Sequence, residues 1–462
     1  MKTELVVIGA GPAGLSAAAA AAERGVRVVL VDAGERLGGQ YFRHDGSGES
    51  HNRDWATYQQ LAQRIAAQQS RGNLSYLSRS AVWSVSDDGE SFTVRIRKGE
   101  RDEAAIEVIA PRLILATGAH DRALAFDGWD APGSITVGGL QSLVKGNNLV
   151  AGQRVVIAGT GPFLLATAAD VLKAGGTVVA VVEAHSFTAL AANPAAMIAG
   201  RHKISQAIEL LGALRRGNVR LIDRATIDAA LRNDNGAVRA VSVRTNKGII
   251  GIECDVVATG WGFEPNVELA VNLGLSTKVG IDESLNVTVD DNQQTSNDRV
   301  WAAGELAGIA GSDVALAEGE IAGAAAADSV GRRGADTEDA RRTRARGRRF
   351  AKYLLSAYSI PAGWTKHLPN HTTLCRCEEV TVGEVREAID EFGASDPRAV
   401  KLFTRVGMGW CQGRMCAANC ADVIRDCAGV ETDAAALAAA HKRVIAQPIT
   451  LGTLAEWDSG AQ

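Results

Sequence analysis

The segment Leu5-Val-Val-Ile-Gly9-Ala10-Gly11-Pro12-Ala13-Gly14 decides the fold of the N-terminal part of this chain. Its apolar run predicts a buried strand, and the glycine motif opens an alanine-rich helix that is predicted to continue through Glu23. The next apolar run, Val26 to Val31, predicts a second strand that ends at Asp32. A GxGxxG motif in this strand–helix–strand order is typical of dinucleotide binding, and a glycine-rich turn without a ligand is the alternative.

The residues of this motif each have a physical role in such a site. Gly9 permits the tight turn, Gly11 lets the backbone approach a pyrophosphate, and Gly14 allows the helix to pack closely on the strand. The free N–H groups at the helix start favour phosphates, and a carboxylate after the second strand can accept the ribose hydroxyls. The candidate dinucleotide-binding residues are therefore Gly9, Ala10, Gly11, Pro12, Ala13, Gly14 and Asp32.

A second unit of the same kind begins at Arg154-Val-Val-Ile-Ala158 and continues with Gly159-Thr-Gly161-Pro-Phe-Leu164. Its next strand, Thr177 to Val182, ends at Glu183, which would repel a 2′-phosphate and so disfavours NADP. Leu164 replaces the third glycine, so we expect looser packing and a different phosphate pocket. Two interpretations stay open for Gly159, Gly161 and Glu183: a site for NAD(H) or another adenine nucleotide such as ATP, or an empty structural domain.

Three further strands end in short motifs. Leu113-Ile-Leu-Ala116-Thr117-Gly118 and Asp255-Val-Val-Ala-Thr-Gly260 share Ala-Thr-Gly, and Arg299-Val-Trp-Ala-Ala-Gly304-Glu305 precedes a helix predicted from Ser312 to Ala327. In this order the pieces resemble the two-dinucleotide-binding flavoprotein family, which includes glutathione and thioredoxin reductases. The resemblance implies an FAD domain that is interrupted by an NAD-type domain and closed by the last motif. No CxxC occurs in the first 374 residues, which excludes disulfide-reductase chemistry.

The resemblance also carries FAD contacts onto particular positions. Gly38-Gly39-Gln40 matches a loop beside the flavin ring and ribityl chain, and Val82, in a strand predicted from Ser80 to Val85, matches a backbone contact to adenine. Glu305 matches the acid that contacts the ribityl chain, where family members usually carry Asp. The other positions are Ala116, Thr117 and Gly118, where the chain crosses near the nucleotide, Gly304 beside the acid, and Val314, whose amide faces the flavin pyrimidine edge.

Composition sets broad limits on the class of protein. Hydrophobic residues make up 46% and charged residues 22% of the 462 residues, as is usual for globular proteins. The net charge of −4 gives no reason to expect nucleic acid or an anionic membrane as partner. No apolar run approaches the roughly 20 residues that span a bilayer. A strand within the first residues disfavours a signal peptide, and seven cysteines without a disulfide pattern favour a reducing, cytoplasmic compartment.

Four of the seven cysteines form two pairs near the C-terminus, Cys375-x-Cys377 and Cys411-x4-Cys416. Such thiolates predict an iron–sulfur cluster or a zinc ion, although structural zinc more often uses CxxC pairs. No histidine lies within the pairs, which disfavours a Rieske centre. Thr381 or its neighbour is predicted to cap a helix whose first turn bears Glu384. The remaining cysteines, Cys254, Cys420 and Cys427, are predicted to be buried thiols rather than ligands.

Residues 331–350 form a basic stretch with eight arginines and three acids. One interpretation is a solvated helix that joins two domains, and the other is a docking face for an acidic partner subunit. Phe350, Leu354 and Leu355 would form an apolar face for packing on the flavin domain.

The C-terminal motifs carry a second resemblance. Thr404-Arg-Val-Gly-Met-Gly409 and Cys411-Gln-Gly-Arg-Met-Cys416 resemble bacterioferritin-associated ferredoxin, which binds [2Fe–2S] through four cysteines. The whole chain resembles the α (A) subunit of bacterial opine oxidases, hydrogen cyanide synthase and dye-linked proline or hydroxyproline dehydrogenases. In that family a separate flavin subunit, similar to D-amino acid oxidase, oxidises the carbon–nitrogen bond. The resemblance implies FAD and a [2Fe–2S] cluster on this chain. It implies three partners: that flavin subunit, a respiratory acceptor and a small ferredoxin-like subunit.

These patterns predict an α/β fold of two interleaved Rossmann-like, glutathione-reductase-like domains with a small α-helical [2Fe–2S] domain. The predicted function is electron transfer within a multi-subunit amine dehydrogenase, with no catalytic acid or base on this chain and contact with the inner membrane only through partners. The alternatives are a self-contained NADH-dependent ferredoxin or acceptor reductase, and a scaffolding subunit with vestigial nucleotide sites. The predicted segments are 1–120 and 266–330 (FAD domain), 121–265 (NAD-type domain), 331–367 (linker), 368–430 (cluster domain) and 431–462 (C-terminal extension).

Overall fold

The computed structural model describes residues 1–46, 52–99, 103–192, 203–430, 433–443 and 445–459, together with residues 195, 198 and 200. The chain divides into two compact units. The first contains Met1–Ala119, Pro265–Ala351 and His441–Gln462, and the second contains His120–Glu264 and Lys352–Ala440. In the part of the chain that is described, no helix has both the length and the apolar character needed to cross a membrane.

A five-stranded parallel sheet forms the centre of the first unit. Its strands lie in the order Val300–Ala302, Leu113–Leu115, Leu5–Ile8, Val28–Val31 and Leu74–Leu77. The runs at Leu5–Ile8 and Val28–Val31 are continuously apolar and fully buried, as expected for parallel strands covered on both faces. The chain order reverses at Leu5–Ile8, and such reversals leave a crevice at the carboxyl ends of the strands where nucleotides bind.

Two alanine-rich helices, Pro12–Glu23 and Ser312–Asp328, pack closely against each other in this unit. A Cβ added at Gly319 would lie 2.0 Å from the carbonyl oxygen of Ala13, and one at Gly323 would lie 2.2 Å from that of Ala17. Glycines four residues apart on one helix therefore let the two backbones touch. This contact places the start of the second helix near the first glycine motif.

The rest of the first unit surrounds this core. The helix Trp55–Ser70 covers the sheet. The C-terminal helix Leu451–Ser459 packs instead on the three-stranded antiparallel sheet, where Trp457 lies edge-on against Trp83 at 5.2 Å between ring centroids. The other elements are the antiparallel strands Ser80–Asp87, Phe92–Lys98 and Ala104–Ala110, the hairpin Thr277–Val279 and Leu285–Val287, the short helix Glu268–Asn272 and the 3₁₀ turn Gly304–Ala307.

The second unit repeats the nucleotide-domain pattern. Its parallel sheet has the order Arg220–Ile222, Val178–Glu183, Val155–Gly159, Val256–Gly260 and Ser134–Thr136, so the chain order again reverses beside the strand that precedes the glycine motif. The predicted strand ends differ from the observed ones by one or two residues. Other elements of this unit include the helices Val137–Asn147, Phe163–Lys173 and Ile204–Arg216 and the antiparallel strands Ala225–Arg232, Val238–Thr245 and Gly248–Glu253.

The cysteine module, residues 373–428, belongs to this second unit. Its elements are the hairpin Thr373–Cys375 and Val380–Thr381 and the helices Val382–Phe392, Pro397–Thr404 and Ala417–Ala428. The predicted cap is confirmed: Thr381 and Glu384 form a reciprocal capping box. Leu374 and Val385 of the module share one hydrophobic core with Trp129 and Val241 of the nucleotide-type part. Trp129 also donates its indole N–H to the Thr373 carbonyl at 2.6 Å, so the module is packed into this unit.

The basic stretch at 331–350 lies mainly in the helix Glu338–Ala357. Much of its positive charge is used within the first unit. Arg344 pairs with Asp291 at 2.8 Å, and Arg348 pairs with the buried Glu318 at 2.6 Å. The predicted joining helix is thus present. Several of its arginines form ion pairs within the fold, so the helix is not simply a solvated surface element.

Candidate functional site

The first glycine motif has the geometry of a nucleotide-binding turn. Gly9 has a φ of +104°, and a Cβ there would lie 2.2 Å from the carbonyl oxygen of Ala116. A Cβ at Gly14 would lie 1.7 Å from the Gly9 carbonyl oxygen. Both positions need glycine for steric reasons within the chain itself.

Gly11 is different, because the nearest atom to an added Cβ is Gly39 Cα at 4.0 Å. The chain's own packing does not require glycine at position 11, whereas a ligand that approaches the backbone would. The predicted loop Gly38-Gly39-Gln40 lies directly beside this position, since the Gly38 N–H donates to the Ala10 carbonyl at 2.8 Å. The structure therefore brings two of the predicted FAD segments together around partly exposed backbone.

The Asp32 carboxylate faces this turn. It accepts hydrogen bonds from the Ala10 N–H and the Gly34 N–H, both at 2.6 Å. Burial raises its pKa, and these two donors partly offset that effect by stabilising the charged form. Each oxygen keeps a further lone pair, so the carboxylate can still accept ribose hydroxyls.

Gly304 and Glu305 form the closing motif of the predicted FAD domain, and buried hydrogen bonds hold it in place. The Gly304 N–H donates to Glu318 Oε2 at 3.0 Å, and Arg348 Nε donates to Glu318 Oε1 at 2.8 Å. Glu305 accepts the N–H groups of Ala310 and Gly311 at 3.0 and 2.8 Å. Burial raises the pKa of Glu305, and these N–H groups and the Arg348 charge oppose that rise. The extra methylene of Glu305, compared with Asp, lets its carboxylate reach the loop before the next helix.

The helix Ser312–Asp328 begins beside the Gly38–Gln40 loop. Val314 is buried in the first turn of this helix. At its first residue, the Ser312 side chain forms a hydrogen bond with that of Tyr41. Burial raises the pKa of Tyr41, and its hydroxyl donates to Asp54. Among the residues described, no side chain caps the start of this helix, so its first N–H groups can receive a ligand oxygen.

The remaining predicted contacts lie on strand ends of the first unit. Thr117 Oγ1 donates to the Asn266 carbonyl at 2.8 Å, and the Asn266 side-chain amide donates to the Thr117 carbonyl at 2.9 Å. The Asn266 N–H also donates to the carbonyl of Gly118, close to Ala116. Val82 lies where strand pairing shifts at a bulge. Sequence reasoning missed Asn266, for which a polar residue shortly after the second Ala-Thr-Gly strand was the available signal.

The second glycine motif has similar turn geometry and different access. Gly159 has a φ of +138°, and a Cβ there would lie 1.8 Å from the Gly260 carbonyl oxygen. Unlike the first motif, both Gly159 and Gly161 are buried. Leu164, which replaces the third glycine, is fully buried in the core of this unit.

The Glu183 carboxylate is enclosed by its own turn. It is 1% exposed and accepts hydrogen bonds from the Thr160 hydroxyl at 3.1 Å, the Gly161 N–H at 2.8 Å and the His185 N–H at 3.0 Å. Burial raises its pKa, and these donors offset part of that rise. Asp32 is engaged in two such bonds and remains partly exposed, so Glu183 is the poorer ribose acceptor.

Tyr358 and Ser359 lie over this second motif. A Cβ at Gly161 would be 3.8 Å from Tyr358 Cβ, and His185 Nε2 lies 2.6 Å from the Ser359 carbonyl oxygen. The Tyr358 hydroxyl donates to the Phe187 carbonyl at 3.3 Å. The structure thus fills, with the chain's own residues, the side of the motif where a ribose would be expected.

The four predicted ligand cysteines lie together: Cys375 is hydrogen-bonded to Cys416 and Cys377 to Cys411, and Cys375 and Cys411 also act electrostatically across the two pairs. Within the described residues, no three Cys, His, Asp or Glu side chains gather closely enough for one metal ion. A zinc ion needs four ligands around one point, whereas each iron of a [2Fe–2S] cluster takes two thiolates. Four cysteine thiolates are the ligand set that a [2Fe–2S] cluster takes, with two on each iron.

Hydrogen bonds to the buried sulfur of Cys375 favour negative charge there. The contact with Cys416 lowers the pKa of Cys375 to about 5, burial opposes this, and the Gly407, Glu378 and Cys377 N–H groups support it. The helix Ala417–Ala428 begins directly after Cys416, beside the predicted ligand cysteines.

The other three cysteines were predicted to be buried thiols. This is confirmed for Cys254 and Cys420, and burial raises the pKa of each thiol to about 12. It is wrong for Cys427, which is exposed. Cys427 lies in the last turn of the helix Ala417–Ala428, where the helix leaves the core.

Comparison with known protein families gives two matches along the chain. Residues 3–328 match the pyridine nucleotide-disulphide oxidoreductase family. The chain belongs to this family. Residues 373–426 of this family member match the BFD-like [2Fe–2S] binding domain, which covers all four paired cysteines.

Curated relatives match this oxidoreductase over most of its length. It is 30% identical to the hydrogen cyanide synthase subunit HcnB of Pseudomonas protegens, over 93% of this chain and 93% of that protein. It is 31% identical to the α (A) subunit of opine oxidase from Rhizobium meliloti, over 89% of this chain and 90% of the relative. Among solved structures, L-proline dehydrogenase from P. horikoshii shares the fold, with a TM-score of 0.71 and 20% identity over 98% of this chain and 79% of that chain. The chain is therefore an FAD-dependent oxidoreductase subunit with a mixed α/β fold.

Proposed function

We propose that this chain transfers electrons within a multi-subunit amine dehydrogenase and holds FAD and a [2Fe–2S] cluster. One observation carries the proposal: the chain contains both an open dinucleotide site and two cysteine pairs. It has no CxxC motif in its first 374 residues. Full-length relatives that are themselves subunits of hydrogen cyanide synthase and opine oxidase support it. Electrons that reach FAD then have the cluster as their outlet.

The predicted FAD residues suit binding rather than substrate chemistry. The backbone at Gly11 and Gly39 would lie against the pyrophosphate, Asp32 would accept the ribose hydroxyls, and Glu305 and the first turn at Val314 would bound the flavin side. Bound FAD accepts an electron pair and releases electrons singly. Cys375, Cys377, Cys411 and Cys416 would hold the cluster. No acid or base of this chain is assigned to the amine.

The oxidation of the amine is assigned to a partner. We infer that the partners are a D-amino-acid-oxidase-like flavin subunit, a respiratory electron acceptor and a small ferredoxin-like subunit. We infer that the amine is an opine, a D-amino acid, a proline-type amine or glycine, and the similarity to an opine oxidase subunit supports the first of these.

The second nucleotide site distinguishes this proposal from the NADH-dependent reductase. Such an enzyme needs a nicotinamide nucleotide at Gly159 and Gly161. The burial of both glycines, the enclosure of Glu183 and the position of Tyr358 disfavour rapid use of NADH. We infer that an adenine nucleotide binds there weakly and does not reduce FAD at catalytic rates.

Anaerobic stopped-flow mixing tests the proposed function. The isolated chain, loaded with FAD and iron, is mixed with NADH or with amines (glycine, proline or an opine). The expected result is no fast flavin bleaching with either, and amine-dependent bleaching once a D-amino-acid-oxidase-like flavin subunit is co-purified with the chain. Fast bleaching by NADH alone would refute the proposal and favour the reductase.

A further inference from the structure

The cysteine module carries large apolar side chains on its surface. Among the residues that the structure describes, Trp410 is 79% exposed and Leu402 is 76% exposed, and Phe403 and Met408 are more than half exposed. Phe403 also stacks on the exposed ring of Phe392, with 4.9 Å between the ring centroids. Single exposed apolar residues are ordinary, but several within residues 402–410 mark an interaction site. We call Phe392, Leu402, Phe403, Met408 and Trp410 the cluster-edge residues.

Two of these residues, Met408 and Trp410, lie next to the exposed pair of ligand cysteines. Cys375 and Cys416 are buried, whereas Cys377 is exposed and Cys411 is half-buried. Trp410 directly precedes Cys411. Gly409 packs so tightly on Cys377 that an added Cβ would lie 2.1 Å from Cys377 Cβ. A protein bound to Met408 and Trp410 would therefore come close to the Cys377 and Cys411 side of the cluster.

The segment that carries Leu402, Phe403, Met408 and Trp410 is basic, whereas Asp390 and Glu391 directly precede Phe392. Residues 397–416 contain no Asp or Glu and four basic residues, Arg398, Lys401, Arg405 and Arg414. Arg405 pairs with Glu378 at 3.0 Å, yet its side chain is 72% exposed. Interfaces place apolar side chains at their centre and charges at their rim, and opposite charges steer association. A partner protein whose surface is complementary to the cluster-edge residues would therefore have an apolar centre and an acidic rim.

We propose that the cluster-edge residues dock a protein partner with an acidic rim, and that single electrons pass between this partner and the cluster beside Cys377 and Cys411. The inference rests on the proposed function, because it takes the [2Fe–2S] cluster as present. In turnover the reduced cluster loses one electron and the oxidised partner gains it, with no bond made or broken; a reduced probe protein runs the same one-electron exchange in reverse.

The test uses the full-length, FAD- and iron-loaded protein with reduced flavodoxin as probe, because flavodoxin is an acidic one-electron carrier. Its binding is measured by calorimetry, and cluster bleaching is followed by stopped flow at low and high salt. The variants are Trp410→Ser and Leu402→Ser. Ile249→Ser is the matched control, since Ile249 is 57% exposed on the strand Gly248–Glu253 of the same unit.

The expected result is salt-sensitive binding that Trp410→Ser and Leu402→Ser each weaken by about tenfold or more, as for central interface residues. Ile249→Ser should match the wild type, and basic cytochrome c should bind less well than flavodoxin. Equal affinity of Leu402→Ser and the wild type, or equal binding of cytochrome c, would overturn the proposal. Self-association that Trp410→Ser abolishes in sedimentation would assign the surface to a second copy and also overturn it.

Iron content and the flavin spectrum are measured first in every variant. A wild-type chain that binds neither cofactor would refute the proposed function. A fully loaded chain whose flavodoxin affinity does not change in either variant would refute only the docking site.

Discussion

Arg348 donates a hydrogen bond from Nε to Oε1 of Glu318 at 2.8 Å, and its Nη2 forms an ion pair with the same carboxylate oxygen at 2.6 Å. The other oxygen of Glu318 accepts the Gly304 N–H at 3.0 Å. Glu318 is 1% exposed, so its charge depends on this partner. An arginine of the joining helix thus fixes the backbone of the closing motif beside the candidate FAD site.

Loss of this arginine should loosen the closing motif. Arg348→Met leaves a buried, unpaired carboxylate, which costs about 3–5 kcal/mol in typical cases. We expect the lower end of that range, since the Arg348 side chain is 29% exposed. The melting temperature of Arg348→Met should fall and its Kd for FAD should rise. Arg346→Met, on the exposed surface of the same helix, should change neither. Normal FAD affinity in Arg348→Met would contradict a role in the site.

Removing the Asp32 carboxylate should weaken FAD binding directly. Asp32→Ala leaves the ribose hydroxyls and the Ala10 N–H without their charged acceptor, at a cost of about 1.5–3 kcal/mol. The Kd for FAD should rise roughly tenfold to a hundredfold, as measured by fluorescence after dialysis. Glu35→Ala, a nearby exposed carboxylate, serves as control. Unchanged FAD content in Asp32→Ala would assign the ribose to another residue.

The cluster and FAD should respond separately to cysteine substitution. Cys411→Ser should abolish the [2Fe–2S] absorption and leave FAD content nearly unchanged, because the cysteines lie in the second unit and the first glycine motif in the first. Cys420→Ser and Cys427→Ser should retain iron, measured by metal analysis. Loss of iron from Cys420→Ser would show that a ligand was wrongly chosen, and equal loss of both chromophores would contradict the separation.

Tyr358 should limit access to the second glycine motif. NADH should bleach the flavin slowly or not at all in the wild type. Tyr358→Ala should bind ADP-ribose or ATP more tightly than the wild type, because it removes the ring that packs edge-on against His185 and reaches the Phe187 carbonyl. Calorimetry measures the affinities, with Tyr353→Ala on the preceding helix as control. Equal nucleotide affinity in Tyr358→Ala and the wild type would show that the tyrosine does not restrict the site.

Glu103 should fasten the C-terminal helix in a pH-dependent way. Burial opposes ionisation, but hydrogen bonds from Thr453, Arg97 and Thr450 lower its pKa to about 2. Because the folded-state pKa lies below the ordinary 4.5, this stabilisation is full above that pH and is lost as the pH falls toward 2. Limited proteolysis should release the C-terminus earlier at low pH, and in Glu103→Gln at neutral pH. An identical pH profile in Glu103→Gln would disprove the anchor.

Local signals predicted the elements well. The helix expected from Ser312 to Ala327 extends by one residue to Asp328, and the capping box of Thr381 and Glu384 is present. The interactions that form these features join residues within one helical turn of one another. Both partners of each interaction can therefore be recognised in a short stretch of sequence. The burial predicted for Cys427 failed because it depends on where a helix leaves the core, and the roles of Arg348 and Asn266 depend on partners distant in the chain.

The sequence by itself determined the two glycine motifs, the absence of CxxC before residue 374 and the two cysteine pairs, because each is a property of neighbouring residues. Only the tertiary structure decided that Gly11 stays partly exposed while Gly161 is covered by Tyr358, and that Cys377 faces outward while Cys375 is buried. The backbone shape of a motif follows from its own residues. Its access to ligands follows from whichever distant segment the packing of the chain lays over it.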